Sequence, residues 1–422
     1  MLNDLTTSVQ IAGVTFKSPI LVSSSECASS LPLLEQLTQR NIGGIVTKTV
    51  TTRPENRVRV RPYQFPLSAF GKAYRNGKCL YSLAAPHVEE MDHVIEQIPL
   101  MASTCHDLSV RLVVSYFEDP SDVSLWVKRA KAFEAAGADL LELNFSSPSA
   151  VRVFAKGLDA SSQIIARVKE SVAIPVGLKL SPTLEPLEKL AKAWRSAGLD
   201  FVTAHNAPSG IFIDVEKEQP FGAPAIGGFI MGRAFLPYSL GRVVRIKKAT
   251  DLSLIGVGGI YDATDALQYL LCGCLLVGVG SALYFQGPRV LDDIYEGITL
   301  WMARKGYGAV KEFTGKVLPI IKDSGSLRSK EAYPFTMPPD CPYVPVIDEG
   351  KCNLCGSCKG SCIYGAIEIS EKESRVLIDE DRCWSCGFCV GICPSRAIQL
   401  RDRNDRARVI WKNEGMAESF KP

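Results

Sequence analysis

The sequence has no surplus of either charge. Its 48 Lys and Arg offset 45 Asp and Glu, for a net charge of +3. A general nucleic-acid binder would carry a one-sided basic excess. No apolar run is long enough to be read as a membrane span. The one stretch that invites that reading, YLLCGCLLVGVGSALYF at 269–285, is 17 residues long and is broken by Gly273, Gly278 and Gly280. It reads instead as a helix end, a turn and a buried parallel strand. The opening stretch MLNDLTTSVQ lacks the basic and then apolar profile of a signal peptide. No GxGxxG follows the first apolar run. GVGSAL at 278–283 comes only at the eighth run and lacks the third glycine, which counts against a doubly wound dinucleotide-binding sheet.

What is present is ample core material: 46% of the 422 residues are hydrophobic. That length suggests one large domain plus a small one. Eight short apolar runs occur between residue 20 and residue 281: ILVSSS, GGIVTKTV, RLVVSYF, LLELNF, VGLKLS, FVTAHN, LIGVGG and LLVGVGS. Amphipathic helical patterns separate most of them, and those at 123–137, 184–198 and 263–273 each end at a glycine. Eight buried strands alternating with helices predict an α/β fold, a (β/α)8 TIM barrel, over residues 1–305. A linker at 306–340 follows, closing on the proline-rich YPFTMPPDCPYVP. Residues 341–402 form the second domain, and 403–422 a polar tail.

Of the 14 cysteines, eight fall between 352 and 393. They form a repeat with a period of 31 residues, CNLCGSCKGSCIYGAIEI and CWSCGFCVGICPSRAIQL. Each copy reads C-x2-C-x2-C-x3-C, the spacing of iron–sulfur cubanes, in which the fourth cysteine serves the other cluster. One [4Fe-4S] cluster is expected on Cys352, Cys355, Cys358 and Cys393, the other on Cys383, Cys386, Cys389 and Cys362. Crossed ligation of this kind ties together a small α+β, ferredoxin-like domain whose own core is thin. The alternative is a pair of structural zinc sites. Labile clusters point to a reducing cytoplasm. The six other cysteines, Cys27, Cys79, Cys105, Cys272, Cys274 and Cys341, lack ligand spacing. Cys27 and Cys79 are expected near the barrel mouth.

Barrel enzymes place their chemistry at the C-terminal ends of the strands. Here those ends carry Ser23, Ser24, Lys48, Asn144, Lys179, Asn206, Gly258, Gly259, Gly280 and Ser281. Lys48 and Lys179 stand in apolar runs, where an ammonium without a partner costs several kcal/mol. A carboxylate or an electron-rich ligand must answer each, unless the side chain snorkels to the rim. The glycines of GVGG and GVGS leave amides open for a phosphate after strands seven and eight. A phosphate at one end and a polar ring over the barrel mouth describe FMN. Its ring also exchanges a hydride for the single electrons that clusters carry.

These pieces resemble a known family. VQIAGVTFKSPILVSSS, IVTKT, LELNFSSP, LKLSPT, TAHN-x2-SG, GG-x3-GRA, VGGI and VGSA, followed by the cysteine cassette, are similar to the C-terminal half of dihydropyrimidine dehydrogenases. They are also similar to the cluster-bearing subunit of the bacterial NAD-dependent form. The barrel alone is similar to dihydroorotate dehydrogenases. The resemblance implies an oxidoreductase acting on a CH–CH or C=C bond next to a carbonyl. It places the FMN ring against Ser23, Ser24, Lys48, Asn144, Lys179 and Asn206, with Lys179 stabilising negative charge on the reduced ring. It places the phosphate against the amides of Gly232, Gly259, Gly280 and Ser281. Ser147, in LELNFSSP, falls where the family carries its proton-transferring residue; the alternative is that it merely caps a turn. The pyrimidine enzymes have cysteine there.

Departures from the pattern are Ala207 and Ser149, and a loop, KCLYSLAAP at 78–86, that offers Tyr81 and Leu83 where the family has polar substrate contacts. A pocket with fewer hydrogen-bond partners suits a less polar substrate than uracil. Dihydroorotate, or a non-pyrimidine conjugated carbonyl or thioester, is the alternative, as is an electron-transfer subunit without turnover of its own. The resemblance further implies an NAD(P)H-binding flavoprotein subunit or a ferredoxin as partner, in a homodimer or hetero-oligomer.

Overall fold

The computed structural model describes residues 5–58, 60–70, 78–84, 86–87, 89–146, 158–222, 228–323 and 336–413. The chain forms two compact units, Met1–Ile320 and Ile321–Pro422.

In the first unit each of the eight apolar runs supplies a strand. In chain order these are β1 (Ile20–Val22), β2 (Gly44–Val46), β3 (Arg111–Phe117), β4 (Leu140–Asn144), β5 (Val176–Lys179), β6 (Phe201–Ala204), β7 (Ser253–Val257) and β8 (Leu276–Val279). All neighbours pair in parallel, β1 with β8 and β2 with β3, so the sheet closes into a barrel. The strands are buried almost throughout, with no apolar–polar alternation, because a barrel strand is covered on both faces. The helices between them show the complementary stripe. In Val123–Ala135 the buried residues Trp126, Ala130 and Phe133 recur at helical spacing, and the Asp122 carboxylate caps the start by accepting from the Ser124 and Leu125 amides. Gly177 lies inside the barrel, where a Cβ would stand 2.3 Å from the Phe201 ring.

The barrel unit extends past the expected edge at residue 305. Val310 and Phe313 are fully buried, Phe313 packs edge-on against Trp301 at 4.9 Å, and Ala309 bridges to Thr6. Composition alone hid this, since two apolar anchors among polar residues hold the whole stretch. A four-stranded antiparallel sheet, Ser209–Gly210, Gly228–Met231, Leu80–Ser82 and Gln64–Pro66, is inserted after strand ends. The 269–285 stretch contains the helix end at Leu271, a turn and β8. Among the described residues no helix is long and apolar enough to cross a membrane.

The second unit holds β9 (Tyr343–Ile347), β10 (Ile367–Ser370), β11 (Arg375–Ile378), β12 (Ile398–Asp402) and β13 (Val409–Lys412). β9, β12 and β13 make one antiparallel sheet, and β10 and β11 another. β13 lies in the expected tail, and its Trp411 covers Gly387 and Gly391. Two one-turn helices, Ser357–Ser361 and Phe388–Ile392, repeat at an offset of 31 residues. The buried core is Cys358, Ile367, Val390, Cys393, Ala397, Ile398 and Leu400. Two of these are cysteines of the repeat, so a cluster bound by them would complete the interior. Stripping iron with a chelator should therefore unfold this unit while the barrel keeps its helical circular dichroism. An iron-free protein whose amides in β9 and β12 stay protected from hydrogen exchange would contradict this.

Candidate active site and cluster cradle

The C-terminal ends of the barrel strands open into one cavity of about 230 Å3. Ser23, Ser24, Lys48, Asn144, Lys179, Asn206, Gly232, Gly258, Gly259, Gly280 and Ser281 all line it. Strand register explains part of the convergence. Asn144 of β4 stands beside Lys179 of β5, and Lys179 beside Thr203 of β6, so the three form one layer at the mouth.

The two lysines have different surroundings. Lys48 pairs with Glu26 at 2.9 Å. Lys179 is 6% exposed and makes no hydrogen bond or ion pair among the described residues. Burial lowers its pKa; the Glu142 carboxylate acts against that, and the like charge of Lys48 adds to it. Lys179 is thus a buried amine that lines the cavity with no donor spent among the described residues.

Around it the polar groups are pre-set. The Asn144 amide donates to Thr49 Oγ1 at 2.9 Å and accepts from the Ser146 amide at 3.0 Å. Asn206 Nδ2 donates to Ser146 Oγ at 2.8 Å. Thr49 in turn meets Ser115 at 3.0 Å and Ser24 at 3.3 Å. Side chains held this way cannot swing to suit any ligand, which fixes the plane of what binds. His205 is buried beside them, with Nε2 3.1 Å from Ser239 Oγ. Its pKa is pushed down to about 4, mainly by burial, so it is neutral at physiological pH.

Opposite this corner, the amides of Gly258, Gly259, Gly280 and Ser281 donate to no group among the described residues. Gly259 has φ +73°, and a Cβ there would lie 3.0 Å from the Leu236 amide nitrogen. Bare amides beside a glycine turn form an anion cradle. Arg233, next to Gly232, is occupied by Asp262 and Asp265 at 2.6 and 2.9 Å, so its charge is already answered. The donor set fits FMN: a cradle for phosphate, an unpaired ammonium and fixed amides for a polar ring.

The antiparallel sheet supplies another wall, through Gln64, Ser82, Phe229, Ile230 and Met231. Here one expectation is corrected. Tyr81 and Leu83 do not line the cavity; Ser82 and Ala84 do. Tyr81 is fully buried on the other face of its strand, packed against Phe65 and Phe212. Side chains alternate along a strand, and the parity of this one was not readable from a loop-like sequence. Ser147 and Ser149 lie outside the described residues. Cys79 stands against Gly232, and burial raises the thiol pKa of both Cys27 and Cys79. Glu142, Ser146, His205 and Ser239 were not singled out from the sequence. Glu142 had a signal, an acid two residues before Asn144 and on the same face of an apolar strand.

In the cluster unit a second pocket is lined by Cys352, Cys355, Cys358 and Cys393, the crossed set expected for one cluster. Cys386, Cys362 and Cys341 act electrostatically on Cys383, and Cys383, Cys386 and Cys358 on Cys389. The repeat holds to the level of single torsions. Leu354 and Ser385 have φ +55° and +54°, and Gly356 and Gly387 have +76° and +75°. The Ala366 and Ala397 amides donate to the sulfurs of Cys362 and Cys393 at 3.4 and 3.3 Å. Such bonds stabilise thiolate ligands and tune the potential of what they hold.

Comparison with known proteins agrees with this geometry. The dihydroorotate dehydrogenase family model matches residues 6–302, and a 4Fe-4S dicluster domain model matches residues 351–397. The catalytic subunit of dihydroorotate dehydrogenase B (NAD(+)) from Geotalea uraniireducens is 29% identical over 315 residues, covering 74% of this chain and 98% of that relative. The subunits of the same name from Methanothermobacter thermautotrophicus and Pyrococcus abyssi are each 27% identical, covering 72% and 74% of this chain and 96% and 99% of theirs. These relatives favour the dihydroorotate branch over the pyrimidine dehydrogenases. The barrel family implies FMN, and the dicluster match with eight cysteines implies two 4Fe-4S clusters. The chain belongs to the dihydroorotate dehydrogenase family and carries a dicluster 4Fe-4S domain after its barrel.

Proposed function

We infer that this protein is the substrate-handling component of a CH–CH oxidoreductase of the dihydroorotate dehydrogenase type. It would exchange electrons between a carbonyl-conjugated substrate at the barrel mouth and a partner, through two clusters in the same chain. The observation that carries this reading is Lys179, a buried ammonium without a partner among the described residues, facing the cavity.

FMN bound there would supply the exchange of a hydride at a CH–CH bond for single electrons. The chain's own residues do the rest. Lys179 stabilises negative charge that develops over the mouth. Asn144 and Asn206, fixed through Ser146, orient a planar carbonyl substrate. The amides of Gly258, Gly259, Gly280 and Ser281 hold the phosphate. Ser147 moves the proton at the carbon next to the one that exchanges hydride; as a weakly acidic hydroxyl it acts through a hydrogen-bonded chain or water. The eight cysteines hold the clusters in crossed sets.

The relatives are named as catalytic subunits of an NAD(+)-dependent enzyme, which supports a separate NAD(H)-binding flavoprotein as partner here. The wall formed by Ser82, Ala84, Phe229, Ile230 and Met231 carries no charge. It favours a second reading of the substrate, a conjugated carbonyl compound less polar than dihydroorotate.

Anaerobic mixing with dihydroorotate, dihydrouracil and less polar saturated ketones or thioesters tests this. One of them is expected to bleach the flavin band without any added acceptor and then reduce the clusters. Bleaching by dithionite but by no substrate in the panel would favour an electron-transfer subunit. Lys179→Met is expected to slow substrate-driven bleaching by about 100-fold, the scale of losing one charge-stabilising group. Unchanged bleaching would remove Lys179 from the mechanism.

A further inference from the structure

We propose that Glu142 is a positioning residue that holds the Lys179 ammonium charged and directed at the barrel mouth. This rests on the flavin reading above and names how that site is tuned.

Glu142 sits on β4, in register with Gly177 of β5 and two residues before Asn144. It is 1% exposed. One carboxylate oxygen accepts from Thr203 Oγ1 at 2.6 Å. The other, Oε1, has no hydrogen-bond partner among the described residues. A carboxylate with a bare oxygen inside a barrel is costly unless a positive charge answers it. Gly177 and Phe201 fill the same layer and offer no charge. The answering group is Lys179, one layer above and itself unpaired. The two lie beyond the 4 Å of a contact ion pair, since no salt bridge joins them, yet Glu142 is the group that favours the charged lysine. The separation leaves the ammonium's donors for a ligand in the cavity while supplying its counter-charge from below.

The other charged groups near Lys179 do not replace Glu142 in this role. Lys48 opposes the charge, and Glu26 is taken up by Lys48 at 2.9 Å. His205 is neutral, and Arg242 behind it is cationic and bound to Glu185 at 2.9 Å. Of the charged groups that act on Lys179, Glu142 alone is negative.

The test is the midpoint potential of bound FMN, measured from about pH 6 to about pH 9 in the intact protein. In the wild type Glu142 raises the Lys179 pKa against the lowering effect of burial, so any break from Lys179 lies toward the alkaline side. Glu142→Gln keeps an acceptor for Thr203 but removes the charge. The Lys179 pKa then moves down, so its break shifts to lower pH than in the wild type and the potential drops below wild type at the alkaline end. The break should vanish in the Glu142→Gln/Lys179→Met double variant. Glu142→Asp, which keeps the charge but draws it back, should show a weaker break at higher pH. It carries the test if Glu142→Gln does not fold. Thr203→Val removes the hydrogen bond and keeps the charge, and should follow the wild type. Parallel profiles for wild type, Glu142→Gln and Glu142→Asp, or a Thr203→Val profile that matches Glu142→Gln, would overturn the proposal while the flavin reading stood. Wild-type protein that binds no FMN would overturn both.

Discussion

A positive charge inside a barrel has to be answered. Lys179 ends a strand that is buried on both faces, so its ammonium has left water without gaining a contact partner among the described residues. Such a group is tolerated only if a counter-charge lies within reach and a ligand takes up the donors. Glu142 supplies the first from within the barrel. The cavity above, with its fixed amides and bare glycine N–H groups, is built for the second.

The cysteine domain answers a different shortage. Its interior is a handful of side chains, and two of those are thiols. Torsions repeated at the same offset in both halves show that the two cradles are copies. Cys393 of the second copy lines one pocket with Cys352, Cys355 and Cys358 of the first, so a cluster bound there would draw on both halves. Structure and redox chemistry thus depend on the same eight sulfurs. A flavin exchanges electrons in pairs and clusters pass them singly, so the two units are complementary in chemistry as well as continuous in chain.

Much of this was legible in the sequence. A strand buried on both faces cannot hide its apolar run, and all eight barrel strands fall where such runs stand. Metal-ligand spacing is equally plain, because chemistry sets it without reference to the rest of the fold. The mouth residues followed from one rule about strand ends. Side-chain parity did not follow. Tyr81 and Ser82 are neighbours, and only the pairing of their strand with Gly228–Met231 decides which faces the cavity. The barrel unit's true edge was hidden for a similar reason. Val310 and Phe313 act through tertiary contact, not through any local pattern. The strand at Val409–Lys412 has too little alternation to announce itself amid the polar residues around it. Glu142 was visible as a letter, but its meaning depends on what lies across the barrel.

One polypeptide is proposed to hold a flavin at the barrel mouth and two cubanes in its second unit. Quantifying both in protein purified without oxygen tests it most directly. The account predicts one FMN released on denaturation and about eight irons per chain. Zinc in place of iron, or colourless protein that stays so after anaerobic reconstitution with FMN, iron and sulfide, would contradict it.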